Sequence, residues 1–121
     1  MSESVRSDPF QHGIEQFNTG RFFEAHESWE EIWLCSPEPE KTFLQGIIQV
    51  AAAFHHHSRG NRRGARSLLD AGLRRLARFP DAHRGIALGA LRAESLAWVT
   101  IFRGEPGPQP AIPRIRPAAN R

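Results

Sequence analysis

Gly20-Arg21-Phe22-Phe23-Glu24-Ala25-His26-Glu27-Ser28-Trp29-Glu30-Glu31-Ile32-Trp33 is the stretch that decides the fold. Phe22, His26, Trp29 and Trp33 stand at i, i+4, i+7 and i+11, so one face of a helix carries all four. Three of them are large aromatics, which belong in a core. Glu30 follows His26 by one turn, close enough for the two side chains to meet at an ion or a bound group. A histidine flanked by tryptophans, with a carboxylate beside it, is the least expected polar feature of the chain.

Outward from that helix, the punctuation is plain. Asp8-Pro9 reads as a cap and first turn, and Phe10, Ile14 and Phe17 make a short apolar stripe to about Asn18. Gly20 ends this first helix. The second runs to about Cys35, where Ser36-Pro37-Glu38-Pro39 stops it. The third, about Glu40 to His57, is apolar nearly all round and therefore central. Its polar seam is Gln45, Gln49 and His56, with small Ala52 between. Gly46 costs this helix about 1 kcal/mol against alanine, and close approach of a neighbouring helix is the expected return. Arg59-Gly60-Asn61 breaks the chain, and a fourth helix is predicted to run to about Phe79, with leucines inward and arginines outward. A connection over 81–85 and a fifth helix from about Ile86 to Phe102 follow. Pro106, Pro108, Pro110, Pro113 and Pro117 then forbid helix and favour an extended tail, pinned by Ile112 and Ile115. The first eight and last few residues are expected to be loose.

Gly20-x4-Ala25 recurs as Gly60-x4-Ala65, forty residues on, each joining one apolar helix to the next. The predicted architecture is all-α: a compact five-helix bundle of two tetratricopeptide-like hairpins, a closing helix and a Pro-rich C-terminal tail. One domain spans 1–121, with an ordered core over about 9–103 and the tail over 104–121.

His26-x-x-x-Glu30-x-x-Trp33 fits the HxxxExx(W/Y) motif of a family of small bacterial and archaeal helical proteins, domain of unknown function 309. The stretch from Phe17-Asn18-x-Gly20 to His26-Glu27 resembles that family too. So do Leu44-Gln45-Gly46-Ile47-Ile48-Gln49 and Arg59-Gly60-Asn61-x-x-Gly64-Ala65, and together the blocks cover roughly 14–80. The resemblance implies a helical fold and metal binding at the motif; no reaction comes with it.

Cys35 is the only cysteine, which excludes disulfides within the chain and a thiolate metal cluster. No signal peptide or membrane-spanning run is read, so a cytoplasmic protein without a membrane partner is expected. The net charge is only +3, but it is divided. Between 15 and 40, seven glutamates face Arg21 alone; between 59 and 78, seven arginines face Asp70 alone. Two helices attracting each other inside one bundle would account for this. A nucleic-acid partner is not expected, because no recognition motif accompanies the arginines.

Two imidazoles and a carboxylate projecting from facing helices make a common divalent-metal set. The predicted ligands are His26, Glu30 and His56, with neighbouring His55 as a substitute. The metal would be zinc, iron, manganese or nickel. Gln45, Gln49, Trp33 and Arg59 are expected around it, and Glu27 is the candidate base should the site be hydrolytic. Each residue also has a plainer reading: His26 as a satisfied core histidine, Glu30 paired with Arg59 or Arg63, the glutamines bridging helices, the tryptophans as core. The alternative function is accordingly a non-catalytic helical-hairpin interaction module with a structural His/Glu network. A small molecule or a protein is the partner under either reading, and self-association as a dimer suits both.

Overall fold

The computed structural model describes residues 8–119; the ends expected to be loose lie outside these, apart from Asp8. Asp8 caps α1 (Pro9–Asn18), its carboxylate accepting from the Phe10 amide at 3.1 Å. α2 (Phe22–Cys35), α3 (Glu40–Ser58) and α4 (Arg62–Leu76) follow within a residue or two of their predicted starts. α4 stops three residues before Phe79. Beyond it Arg92 donates to the carbonyls of Leu76 and Phe79, at 3.1 and 3.0 Å, and pairs with Asp81 at 2.6 Å. A guanidinium there satisfies orphan carbonyls and suits the negative end of the helix.

The repeat is reproduced bond for bond. Gly20 and Gly60 take φ +83° and +78°, the left-handed conformation that glycine adopts without cost. The amides of Arg21 and Asn61 reach back to the carbonyls of Gln16 and His56, both at 2.8 Å. The amides of Gly20 and Gly60 reach those of Phe17 and His57, both at 3.0 Å. This is the same C-terminal motif used twice, and Ala25 and Ala65, five residues on, are both fully buried. The chain is thus two helical hairpins, α1/α2 and α3/α4, with α3 central.

Gly46 does admit a neighbour. A Cβ there would lie 2.6 Å from Leu76 Cδ2, and one at Gly72 would lie 2.9 Å from the Gly46 carbonyl, so α3 and α4 pack almost backbone to backbone. On its other side α3 buries Phe43 against Phe10 and Phe79, and Phe54 against Phe22, Trp98 and Phe102. Trp29 is fully buried, its indole donating to the Phe10 carbonyl at 3.1 Å.

The predicted single helix over 86–102 is three elements instead. β1 (Ala82–His83) and β2 (Ile86–Ala87) form a hairpin, followed by α5 (Leu88–Leu96) and the one-turn α6 (Val99–Phe102). Arg84 and Gly85 both have positive φ, +51° and +79°, as a two-residue hairpin turn requires. Ile86 is drawn into sheet by the tail, which it bridges at Pro117. Trp98, at the break between α5 and α6, is buried on Phe54 and donates to the Ala111 carbonyl at 2.9 Å.

The tail is extended, as five prolines dictate, and it is bound to the body between Ala111 and Ala118. Asn18 brackets Ile115, donating to its carbonyl and accepting from its amide, each at 2.8 Å. The Ala87 amide donates to Arg116 O and the Ala118 amide to Gly85 O. Ile115 is buried, whereas Ile112 is exposed, so Ile115 alone of the two pins the tail. Among the described residues, no helix is long and apolar enough to cross a membrane.

Candidate functional site

A cavity of about 200 Å³ lies between α2 and α3. α2 contributes His26, Glu30 and Trp33; α3 contributes Gln45, Ile48, Gln49 and Ala52; Leu68 of α4 closes the far wall. Small Ala52 opens the space between the two helices, as its place in the polar seam of α3 suggested. His26, Glu30, Trp33, Gln45 and Gln49, five of the residues singled out in the sequence, share this wall.

His26 and Glu30 face each other without touching. His26 Nε2 stands 3.9 Å from Glu30 Oε2, with side chains 26% and 48% exposed. That separation is too long for a hydrogen bond. The other ring nitrogen, Nδ1, is buried and has no partner. His26 is therefore not the satisfied core histidine of the plainer reading. Nor does Glu30 pair with an arginine: among the described residues its one ionic neighbour is His26.

A second His–Glu pair shows what a satisfied one looks like here. His83 Nε2 lies 2.7 Å from Glu40 Oε2, and Arg84 reaches the other oxygen at 3.2 Å. The His83 ring packs on Phe43 and Phe79, with centroids 4.6 and 4.9 Å away, and the Arg84 guanidinium lies over Phe10 at 4.6 Å. This cluster fastens the hairpin to α3.

The three consecutive histidines of α3 part company, as neighbours on a helix must. His56 does not line the cavity. Its Nδ1 lies 3.0 Å from the side-chain amide of Asn61, whose oxygen caps α4 at the Gly64 amide. His57 packs on Trp98 and Phe102. His55 is the one nearer His26: Phe23 stacks on the His26 ring at 5.8 Å and lies tilted against His55 at 5.3 Å. Burial first, and then the charge of Arg59, hold the His55 pKa below the ordinary imidazole value of 6.5. Arg59 thus bears on His55, not on Glu30. Glu27 is exposed and outside the cavity wall. The set His26, Glu30 and His56 does not converge, and no three His, Cys, Asp or Glu side chains do among the described residues.

Two residues that the sequence reading passed over belong beside the cavity. Arg75 of α4 donates from Nη1 to Gln49 Oε1 at 3.1 Å. Lys41 lies 4.4 Å over the Trp33 ring and donates to the Trp33 carbonyl at 3.1 Å. Charge asymmetry was the available signal, but it was read as attraction between the acidic and basic helices. Among the described residues no ion pair joins α2 to α4. α3 lies between them.

Comparison with known proteins agrees with the motif. Residues 10–68 match the family model described as "Domain of unknown function (DUF309)". The chain is 40% identical over 78 residues to an uncharacterized protein of Aquifex aeolicus (strain VF5), the match covering 64% of this chain and 23% of that protein. It is also 40% identical over 57 residues to the uncharacterized protein YpuF of Bacillus subtilis (strain 168), covering 46% of this chain and 33% of that one. The chain therefore spans only a minority of the length of either relative.

Proposed function

We propose, from the premise that residues 10–68 carry the DUF309 domain, that the cavity between α2 and α3 is a ligand site and that His26 and Glu30 hold a divalent cation there. The supporting observation is the 3.9 Å gap between Nε2 and the carboxylate. Two donors bridged by one ion at ordinary bond lengths of about 2.0–2.1 Å would stand somewhat over 3 Å apart. A small rotation of the exposed Glu30 side chain accommodates that. The neighbouring pair at 2.7 Å leaves no such room.

Zinc, iron, manganese and nickel all accept an imidazole nitrogen with a carboxylate oxygen. With only two protein donors the site suits a cation whose other positions belong to water or a ligand, where it would polarise a bound oxygen. Gln45 and Gln49 supply neutral amides to the same space. Trp33 and Ile48 limit the water that enters. His26 Nδ1 is buried without a protein acceptor, so Nε2, on the Glu30 side, is the ring nitrogen that would meet the cation. Hydrolysis would also need a free base. Glu27 lies outside the wall, and Glu30 is the only carboxylate in it, so the chain's own groups favour binding over turnover.

The test is titration of metal-stripped full-length protein with Mn²⁺, read as paramagnetic broadening of histidine resonances. His26 should broaden first, and His26→Gln or Glu30→Gln should weaken binding about tenfold or more. His56→Asn should leave it unchanged. Equal broadening in wild type and His26→Gln would overturn the reading. The interaction-module alternative has its own support in Phe23 and Leu34, which are 48% and 66% exposed on α2.

A further inference from the structure

Beside the cavity lies a second depression of about 140 Å³, whose wall is Trp33, Glu38, Lys41, Thr42, Gln45 and Arg75. Trp33 and Gln45 line both spaces, which therefore adjoin.

The hydrogen bonds already made set what the two spaces can offer. Gln49 Oε1 accepts from Arg75, because a guanidinium can only donate. The Gln49 amide group therefore has its NH₂ left over as a donor. Lys41 is held over Trp33 with one hydrogen bond to the Trp33 carbonyl, which leaves two of its three N–H bonds free. Arg75 is partly buried and makes no ion pair among the described residues. The one acid, Glu38, has an oxygen engaged by the amide and hydroxyl of Thr42, at 2.9 and 2.6 Å. Two cations thus border the second space, whose single carboxylate has one oxygen already engaged, and the Gln49 amide donor lines the first space beside it. That arrangement complements oxygen anions, which forked and ammonium donors bind best.

We infer that the ligand of this site is a small acid, its carboxylate or phosphate group seated between Lys41 and Arg75 while its other end reaches His26 and Glu30. The inference builds on the cation site proposed above but stands on different residues. The dimensions suit a molecule of metabolite size. A polynucleotide phosphate would instead engage the exposed α4 arginines Arg63, Arg66 and Arg74, which stand outside both spaces.

The experiment is titration of ¹⁵N-labelled full-length protein with inorganic phosphate, with succinate and with a short DNA duplex, each with and without Mg²⁺. Phosphate and succinate should shift the Trp33 indole N–H and the Gln49 side-chain amide, with binding complete by about 10 mM. Arg75→Gln and Lys41→Gln should each weaken it several-fold. Anion shifts that appear without Mg²⁺ and do not change when it is added sink only the earlier reading. Silence of both small acids, shifts unaffected by either substitution, or tighter binding of the duplex that Arg74→Glu abolishes would overturn this one.

Discussion

Two histidine–glutamate pairs occur among the described residues, and they differ in one respect that separates structure from site. His83 and Glu40 come from elements 43 residues apart and meet at 2.7 Å, with Arg84 on the second oxygen and aromatic rings against the imidazole. His26 and Glu30 are one turn apart on the same helix and still stop at 3.9 Å. Local geometry would have let the second pair close at little cost. A distant pair closes only if the fold brings it together, and this one does. Proximity in sequence is thus no guide to which polar pair a fold consumes and which it leaves open.

The contrast can be broken most visibly by a bound cation. At about a hundredfold excess over its Kd, Mn²⁺ should stabilise the protein against urea by about 2.7 kcal/mol. His83→Gln should keep that increment above its own lower baseline, and His26→Gln should lose it. Next in size is the unliganded comparison. Glu40→Ala strands His83 and Arg84 and should lower unfolding free energy by about 1–2 kcal/mol, discounted for partial exposure. Glu30→Ala should change it by less than about 0.5 kcal/mol, as an exposed group outside any closed network does. Equal costs in urea melts would erase the distinction.

The smallest effect concerns the histidine next to the open pair. His55 should titrate by NMR below 6.5, because burial and Arg59 disfavour its charged form. The unfolded chain then takes up the proton more readily, so this group's contribution is present above the unfolded pKa and is lost as pH falls from there through the folded value. Arg59→Gln should raise the His55 midpoint part of the way back.

Much of this was legible before any coordinates. Asp8-Pro9, Gly20, Pro37 with Pro39, and Gly60 are local devices, and each stops or starts a helix where its own backbone chemistry requires. The cavity wall was legible for the same reason, since His26, Glu30 and Trp33 recur at helical spacing, as do Gln45, Gln49 and Ala52. What lay beyond reach was long-range. Nothing near Ile86 indicates that Pro117 will pull it into a bridge, and Arg84 is not a residue that advertises positive φ. Trp98 looks like one more helical apolar residue until the Ala111 carbonyl is found opposite its indole. His56 was chosen on periodicity, which could not foresee that Asn61 would hold it.

The bracket between Asn18 and Ile115 joins points 97 residues apart. A clasp of that span can fasten only after the helices between are assembled, since closing so long a loop early would forfeit much chain entropy with few contacts in return. The C-terminal strap is thereby a late-arriving girdle on a frame that must already stand. A shortened chain ending inside α4, where the family match stops at residue 68, would present Phe54 without the Trp98 and Phe102 that cover it. Excision of the recognisable segment alone is therefore a recipe for a sticky half-protein.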